Sequence, residues 1–372
     1  MKTNNMMIYI HIPFCDSKCY YCNFCSAKYS DDIKEKYFNK LYQEIKLNSN
    51  KNNIISSIYI GGGTPSSVDE KYIKKILNII KENFIISSDA EITIEANPCS
   101  ITYSKLLLYK EIGINRLSIG VQSLNNKSLK IIGRKHNKKQ AINAIKLAKK
   151  CGFNNINCDL LIGIPNQNYF SLFNSIKKLI KLKIQHISAY MLINEKGTHL
   201  TNLIEQRKVK VASEDKSVCY YNKIRKYLKS SDYNRYEISN FSKPGFECKH
   251  NLGYWDLTEY YGFGLSAHSY VFESRYSNGT RMQDYLDFDF NYQKEKLSSS
   301  EKIEELIMLG LRTTKGVSIQ DLNALGYDIL NEKIDTLKML ETNGFIKVED
   351  GYIQITSDNF GVANQIILKL LP

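Results

Sequence analysis

From about residue 7 to residue 194, short β-branched runs alternate with longer stretches of helical period, and this alternation restricts the chain to repeated parallel βα units. Six units can be counted. Their strands are MMIYIHI near the start, SIYIGG at 57–62, EITIEAN at 91–97, RLSIGVQ at 116–122, INCDLLIGI at 156–164 and HISAYMLIN at 186–194. The intervening segments, such as DDIKEKYFNKLYQEIKL, DEKYIKKILNIIKENF, KKQAINAIKLAKKCG and FSLFNSIKKLIKLK, place apolar residues three and four apart, as an amphipathic helix requires. Right-handed crossovers would roll such a sheet into a barrel or partial (β/α)6 barrel, with the chemistry in loops that follow the strands.

Beyond the alternation the pattern changes. A helical stretch at 213–230 precedes an aromatic, Gly-rich region from Tyr233 to about Arg281 that contains the single tryptophan, a composition expected to pack over the barrel. Helices resume at 301–310 and 331–343. GFIKVEDGYIQIT then reads as two alternating strands joined at Asp350-Gly351, so the C-terminus is expected to be a small winged-helix-like domain. The division that follows is 1–232 for the barrel, 233–295 for the aromatic region packed on it, and 296–372 for the C-terminal domain. The fold class is α/β.

Composition excludes some partners. The net charge of +13 comes from 43 lysines and only eight arginines spread along the chain, without a dense basic run interleaved with aromatics, so nucleic acid is not an expected partner. No apolar run reaches the length of a membrane span, and the first residues lack a signal-peptide core, which points to the cytoplasm. Nine cysteines, four of them between positions 15 and 25, fit metal ligation in a reducing compartment better than disulfides.

Cys15, Cys19 and Cys22 form C-x3-C-x2-C directly after the first strand. Three thiolates on a [4Fe-4S] cluster leave one iron open to a ligand, whereas an electron-carrying cluster uses four. The same spacing is compatible with zinc, and Cys25, which makes a further C-x2-C with Cys22, could shift or complete the ligand set. Gly61-Gly62-Gly63-Thr64-Pro65 after the second strand lets backbone approach a ligand closely, although it lacks the Gly-Lys-Ser/Thr ending of a phosphate loop. Glu95, Asn97, Gln122 and Asp159 put polar groups where buried strands should be apolar, and together they would line one rim.

The motifs YIHIPFCDSKCYYCNF, YIGGGTPS, EANP, RLSIGVQS, GRKH, CDLLIGIPNQ, SAYMLINEKGT, EISNFSKPG, HNLGYW and YYGFGLSAHS run in order from residue 8 to about 270. In them the chain resembles the radical S-adenosylmethionine (SAM) family of oxygen-independent coproporphyrinogen III oxidase-like proteins, and ELIMLGLRTTKGVS resembles that family's tail domain. Within the family the resemblance is closer to heme chaperones of the HemW type. The decarboxylating oxidases carry a cysteine two residues past the third, where this chain has Phe24, and a longer segment before the first strand; the chaperones share HNxxYW, present here as residues 250–255.

The resemblance implies that Cys15, Cys19 and Cys22 hold the cluster, that its open iron takes the methionine end of SAM, and that Cys25 is not a ligand. It further implies that Tyr9 and Tyr21 border the SAM site, that Gly63 and Thr64 bind the methionyl portion, and that Glu95 meets its ammonium. Gln122, Arg134 and Asp159 would complete the pocket around carboxylate and ribose, a planar fork to a carboxylate being a fitting use of one of so few arginines. Flavodoxin or ferredoxin would supply electrons, heme would be cargo, and heme-accepting proteins would be the partners. No catalytic residue is singled out. His250 is the expected axial heme ligand, with His268 and Cys248 as neighbouring alternatives.

Overall fold

The computed structural model describes residues 5–372. Its centre is a run of six parallel strands, β1 (Asn5–Ile12), β2 (Ile54–Gly62), β3 (Ile85–Ala96), β4 (Arg116–Gln122), β5 (Asn155–Ile162) and β6 (His186–Met191), each paired with the next. The helices between them include α1 (Asp31–Leu47), α2 (Glu70–Asn83), α3 (Tyr103–Glu111), α4 (Asn126–Ile131), α5 (Lys138–Lys150) and α6 (Tyr169–Lys181). Their starts are fixed by side chains that accept otherwise unpaired backbone N–H groups: Ser30 for α1, Asp69 for α2, Asn168 for α6, and an Asn137–Gln140 capping box for α5.

The strands alternate strictly between two environments. Ile8, Ile10, Ile58, Ile60, Ile92, Ile94, Leu117, Ile119, Ile156, Leu160 and Ile187 face the helices and form one continuous core with residues such as Ile73, Ile76, Leu77 and Ile80 of α2. Each such side chain, fully buried, contributes about 1.5–3 kcal/mol. The opposite face carries Tyr9, His11, Ser57, Tyr59, Glu91, Glu95, Arg116, Ser118, Asn157, Asp159, His186 and Ser188. A closed barrel fills that face with branched apolar side chains; here it is polar from one end to the other.

The rest of the sheet comes from the aromatic region, which differs from the expected cover over the barrel. After α7 (His199–Glu205) and α8 (Glu214–Lys229), strands β7 (Asn234–Arg235) and β8 (Asn240–Ser242) extend the sheet antiparallel beyond β6. The chain then makes α9 (Lys249–Trp255) and crosses to the far edge. There β9 (Tyr260–Phe263) lies parallel to β1, followed outward by β10 (His268–Val271), β11 (Ser274–Ser277) and, after α10 (Met282–Asp287), β12 (Glu295–Lys296). The result is an open twelve-stranded sheet. Buried Glu44 of α1 clamps this return segment by accepting from Gly264 N at 2.9 Å, Asn278 Nδ2 at 2.7 Å, Tyr285 OH at 2.7 Å and Tyr292 OH at 2.8 Å.

The C-terminal part has its own core, built around Ile307, Leu322, Leu340, Ile353 and Ile367. It comprises α11 (Ser299–Gly310), β13 (Val317–Ser318), α12 (Ile319–Ala324), α13 (Ile329–Glu332), α14 (Ile334–Thr342), β14 (Ile346–Glu349), β15 (Tyr352–Ile355) and α15 (Ala363–Leu370), with the strands in the order β13-β15-β14. The hairpin turns at Asp350 and Gly351, both at positive φ. The single helix expected at 331–343 is instead two pieces, because Lys333 leaves helical geometry between them.

Candidate cofactor site

Inner-face residues of β2 to β6 converge with the loop after β1 on one cavity of about 520 Å³. The loop, residues 13–28, is held by backbone: Cys15 N donates to Ala27 O at 3.0 Å, Tyr20 N to Ile132 O at 3.1 Å, and Leu200 N to Tyr20 O at 2.7 Å. The glycine turn beneath it is equally constrained. Gly63 N and Thr64 N donate to Ile12 O and Phe14 O, both at 2.8 Å, and a Cβ on Gly63 would lie 2.8 Å from Phe14 O and 3.0 Å from Cys15 Sγ. Only glycine lets the two loops touch.

Cys15, Cys19 and Cys22 all line the cavity, with Cys15 Sγ 3.3 Å from Thr64 Oγ1 and Arg134 Nη1 donating to Cys19 Sγ at 3.5 Å. Burial raises the Cys22 thiol above its ordinary pKa, and Cys19 and Cys15 raise it further. Three thiols gathered on one cavity fit a cationic iron centre, whose charge would stabilise their thiolates. Among the described residues no three Cys, His, Asp or Glu side chains are gathered for a single ion. Cys25 does not line the cavity; its Sγ donates to Thr280 O at 3.2 Å.

The SAM-pocket residues expected from the sequence, Tyr21, Gly63, Thr64, Glu95, Gln122, Arg134 and Asp159, also line this cavity. Glu95 accepts from Tyr59 OH at 2.9 Å and Gly62 N at 3.2 Å; burial foremost, and Asp159 next, push it up to about 7. Asp159 is raised by burial against the opposing hydrogen bond from Asn157 Nδ2 at 2.7 Å. Arg134 donates through Nη2 to Gly120 O, where a Cβ would stand 3.1 Å from that nitrogen. Gln122, at φ 60, ends β4 in an irregular register that turns its side chain into the cavity. Tyr9 is beside the site and not in it: its ring stacks on Tyr59 at 6.3 Å and its OH pairs with His11 Nδ1 at 3.0 Å.

His250 is somewhere else. Helix α9 plugs the barrel at the end opposite the cysteines, and His250 is 1% exposed, stacked on Tyr59 at 5.2 Å. Its Nδ1 pairs with Ser57 Oγ at 2.8 Å and its Nε2 with Tyr254 OH at 3.0 Å, while burial drives its pKa down to about 3. The neutral imidazole is the form that binds iron, and both of its nitrogens are engaged in these hydrogen bonds. Of the alternatives, Cys248 is fully buried against Glu91 and His268 is exposed on an added strand.

The sequence reading missed the polar wheel under the cavity. Asn157 spends its whole amide: Nδ2 donates to Ser118 Oγ at 2.9 Å and to Asp159, while Oδ1 accepts from Ser188 Oγ at 3.1 Å and His186 Nδ1 at 2.7 Å. His186 Nε2 in turn accepts from Tyr236 OH at 2.7 Å. The signal was present, since every second residue of RLSIGVQ, NCD and HISAY is polar or glycine.

Fold and site together define a radical SAM protein: residues 9–179 match the Radical SAM superfamily and residues 297–358 match the HemN C-terminal domain. The structure is similar to that of coproporphyrinogen III oxidase (HemN) from Escherichia coli, with a TM-score of 0.84 and 22% identity, covering 99% of this chain and 90% of that one. The Bacillus subtilis heme chaperone HemW is 35% identical across 96% of this chain and 97% of its own length. Those from Lactococcus lactis and E. coli are 37% and 34% identical over 84% and 73% of this chain, and 83% and 71% of theirs. The chain belongs to the HemW family of heme chaperones. No helix among the described residues is long and apolar enough to cross a membrane.

Proposed function

We propose that this chain binds heme and passes it to acceptor proteins in the cytoplasm, and that Cys15, Cys19 and Cys22 hold a [4Fe-4S] cluster whose open iron binds SAM. The observation that carries this reading is the convergence of those three thiols with Thr64, Glu95, Gln122, Arg134 and Asp159 on one cavity. The cluster, when bound, would supply one electron to SAM, delivered by flavodoxin or ferredoxin. The chain's own residues hold the cosubstrate. Gly63 gives it backbone and space, Glu95 pairs with its ammonium, Arg134 and Gln122 meet its carboxylate, and Asp159, oriented by Asn157, accepts from the ribose. Nine free thiols suit a reducing compartment.

Phe24 supports the carrier over the oxidase. It stands two residues past Cys22, is 68% exposed and lines the cavity mouth, so an apolar ring replaces a thiol where a further ligand could approach. For His250 to ligate heme, Nε2 has to exchange Tyr254 for iron while Nδ1 keeps Ser57.

The test is an anaerobic incubation of reconstituted protein with SAM, a reductant, and either heme or coproporphyrinogen III. A stoichiometric Soret band with heme, and no decarboxylated porphyrinogen, is the expected result. Turnover of coproporphyrinogen would make the chain an oxidase.

A further inference from the structure

The cavity has a floor as well as a rim, and the floor holds an arginine with donors to spare. Arg116 is 1% exposed and lines the cavity, yet its Nε has no hydrogen-bond partner among the described residues. Its nearest carboxylate oxygen, Glu91 Oε2, is 3.8 Å away. Glu91 is held off by the plug: its Oε1 accepts from Cys248 Sγ at 3.3 Å and His250 N at 3.4 Å. The other polar groups of the floor are committed to one another through Asn157. A buried guanidinium without its planar partner is an unfavourable arrangement that a carboxylate would complete.

That carboxylate is not the one SAM carries. Arg116 opens β4 and Gln122 ends it, on the same inner face, so the two backbones stand roughly 20 Å apart at the rise of a parallel strand. SAM's methionine end is tied to the cysteine rim, beside Gln122 and Arg134. The mouth of the same cavity presents two apolar side chains, Phe24 at 68% and Ile193 at 69% exposure, beside exposed Lys18 and Asn23.

We propose that the floor is a second ligand site in which Arg116 forms a bidentate pair with a carboxylate of the bound cargo. On the heme-carrier reading, from which the identity of the cargo follows, this is a propionate arm of the tetrapyrrole, with the apolar body of the molecule toward the mouth.

The test uses the full-length reconstituted protein with hemin, hemin dimethyl ester and sodium propionate as probes. Arg116→Gln is expected to weaken hemin binding roughly 10- to 100-fold, the loss of a charged hydrogen-bond pair, and to leave SAM affinity unchanged. The ester should bind wild type weakly and should not distinguish the variant. Propionate, against a chloride control, should raise the melting temperature of wild type and not of Arg116→Gln, since a ligand stabilises only the form that binds it. Arg116→Lys keeps the charge without the fork, guards against misfolding of the neutral variant, and should fall between the two. Equal hemin and ester affinity in wild type, or hemin affinity undiminished in both variants, overturns the proposal. So does a loss confined to SAM, which would give the carboxylate to SAM. If wild type binds no hemin, the carrier reading fails by itself, and the propionate melts alone decide the floor: no shift specific to wild type overturns it.

Discussion

The two ends of the barrel interior use the same alternate strand positions to opposite effect. At the end formed by α9, polar side chains other than Arg116 are saturated: His250 uses both nitrogens, Asn157 its whole amide, and Glu91 is held by Cys248 and the His250 backbone. At the cysteine end they are left wanting, with Arg134 Nε unpartnered, Glu95 and Asp159 pushed toward neutrality, and three thiols crowded together. A polar residue on a barrel strand is therefore ambiguous by type. What its neighbours have already satisfied decides whether it serves the fold or a ligand.

Substitutions at the two ends should fail differently. The largest effect is expected at the cysteines, where Cys15→Ala, Cys19→Ala or Cys22→Ala should abolish the reconstituted cluster while Cys25→Ala retains about four irons per chain. Iron analysis and the visible spectrum measure this, and cluster loss in Cys25→Ala with retention in Cys15→Ala would reverse the ligand assignment. Next comes the plugged end. His250→Ala strands Ser57 Oγ and Tyr254 OH in the interior and should cost about 2–4 kcal/mol in denaturant unfolding, with cluster and SAM affinity unaltered. Unchanged stability together with a lost Soret band would erase the contrast and make that end the heme site.

Smaller effects are expected at the rim. Glu95→Ala and Arg134→Ala should each weaken SAM binding by about 1.5–3 kcal/mol without loss of iron, as calorimetry would read, because each removes one charged hydrogen bond. Unchanged affinity in both would remove SAM from this pocket. The mildest is a pH effect. Glu95 is raised to about 7, so it is ionised above that value and protonated below it; an ammonium ligand should bind progressively less tightly as pH falls through 7, by up to about tenfold per unit. Glu95→Gln should bind weakly with no such slope, and a slope retained in that variant would assign it to another group.

Much of the fold was legible because its signals are periodic. The six strands, helices α1, α2, α5, α6 and α8 and the hairpin at Asp350-Gly351 carry apolar spacing long enough to read, whereas α3, α4 and α7 are too short or too weakly patterned. Strands β7 to β12 are two to four residues each, too short for a period, and β8 and β9 join the sheet through β6 and β1, far off in the chain, so the segment read as irregular. The same limit governs the site. Residues that follow strands, such as Gly63 and Thr64, were accessible from position alone. Arg116, Asn157 and His186 sit early in strands, where chain position argues for structure, and only the burial and pairing around each separate the free guanidinium from the saturated amide. His250 shows the converse, a motif residue whose environment the motif does not state.

The edges of the sheet put a delay into synthesis. Strand β1 ends at Ile12, yet its outer neighbour β9 begins at Tyr260, and β6 likewise waits for β8 at Asn240. At ~5–20 residues per second, β1 emerges roughly 10 to 50 s before its partner exists. During that interval a hydrogen-bonding edge is open beside thiols that have no cluster, and an unpaired edge is a template for another chain. Ribosome-bound intermediates of this protein are thus the species most in need of a holding chaperone, and slowed translation between residues 13 and 260 should lower its soluble yield more than slowed translation after residue 297.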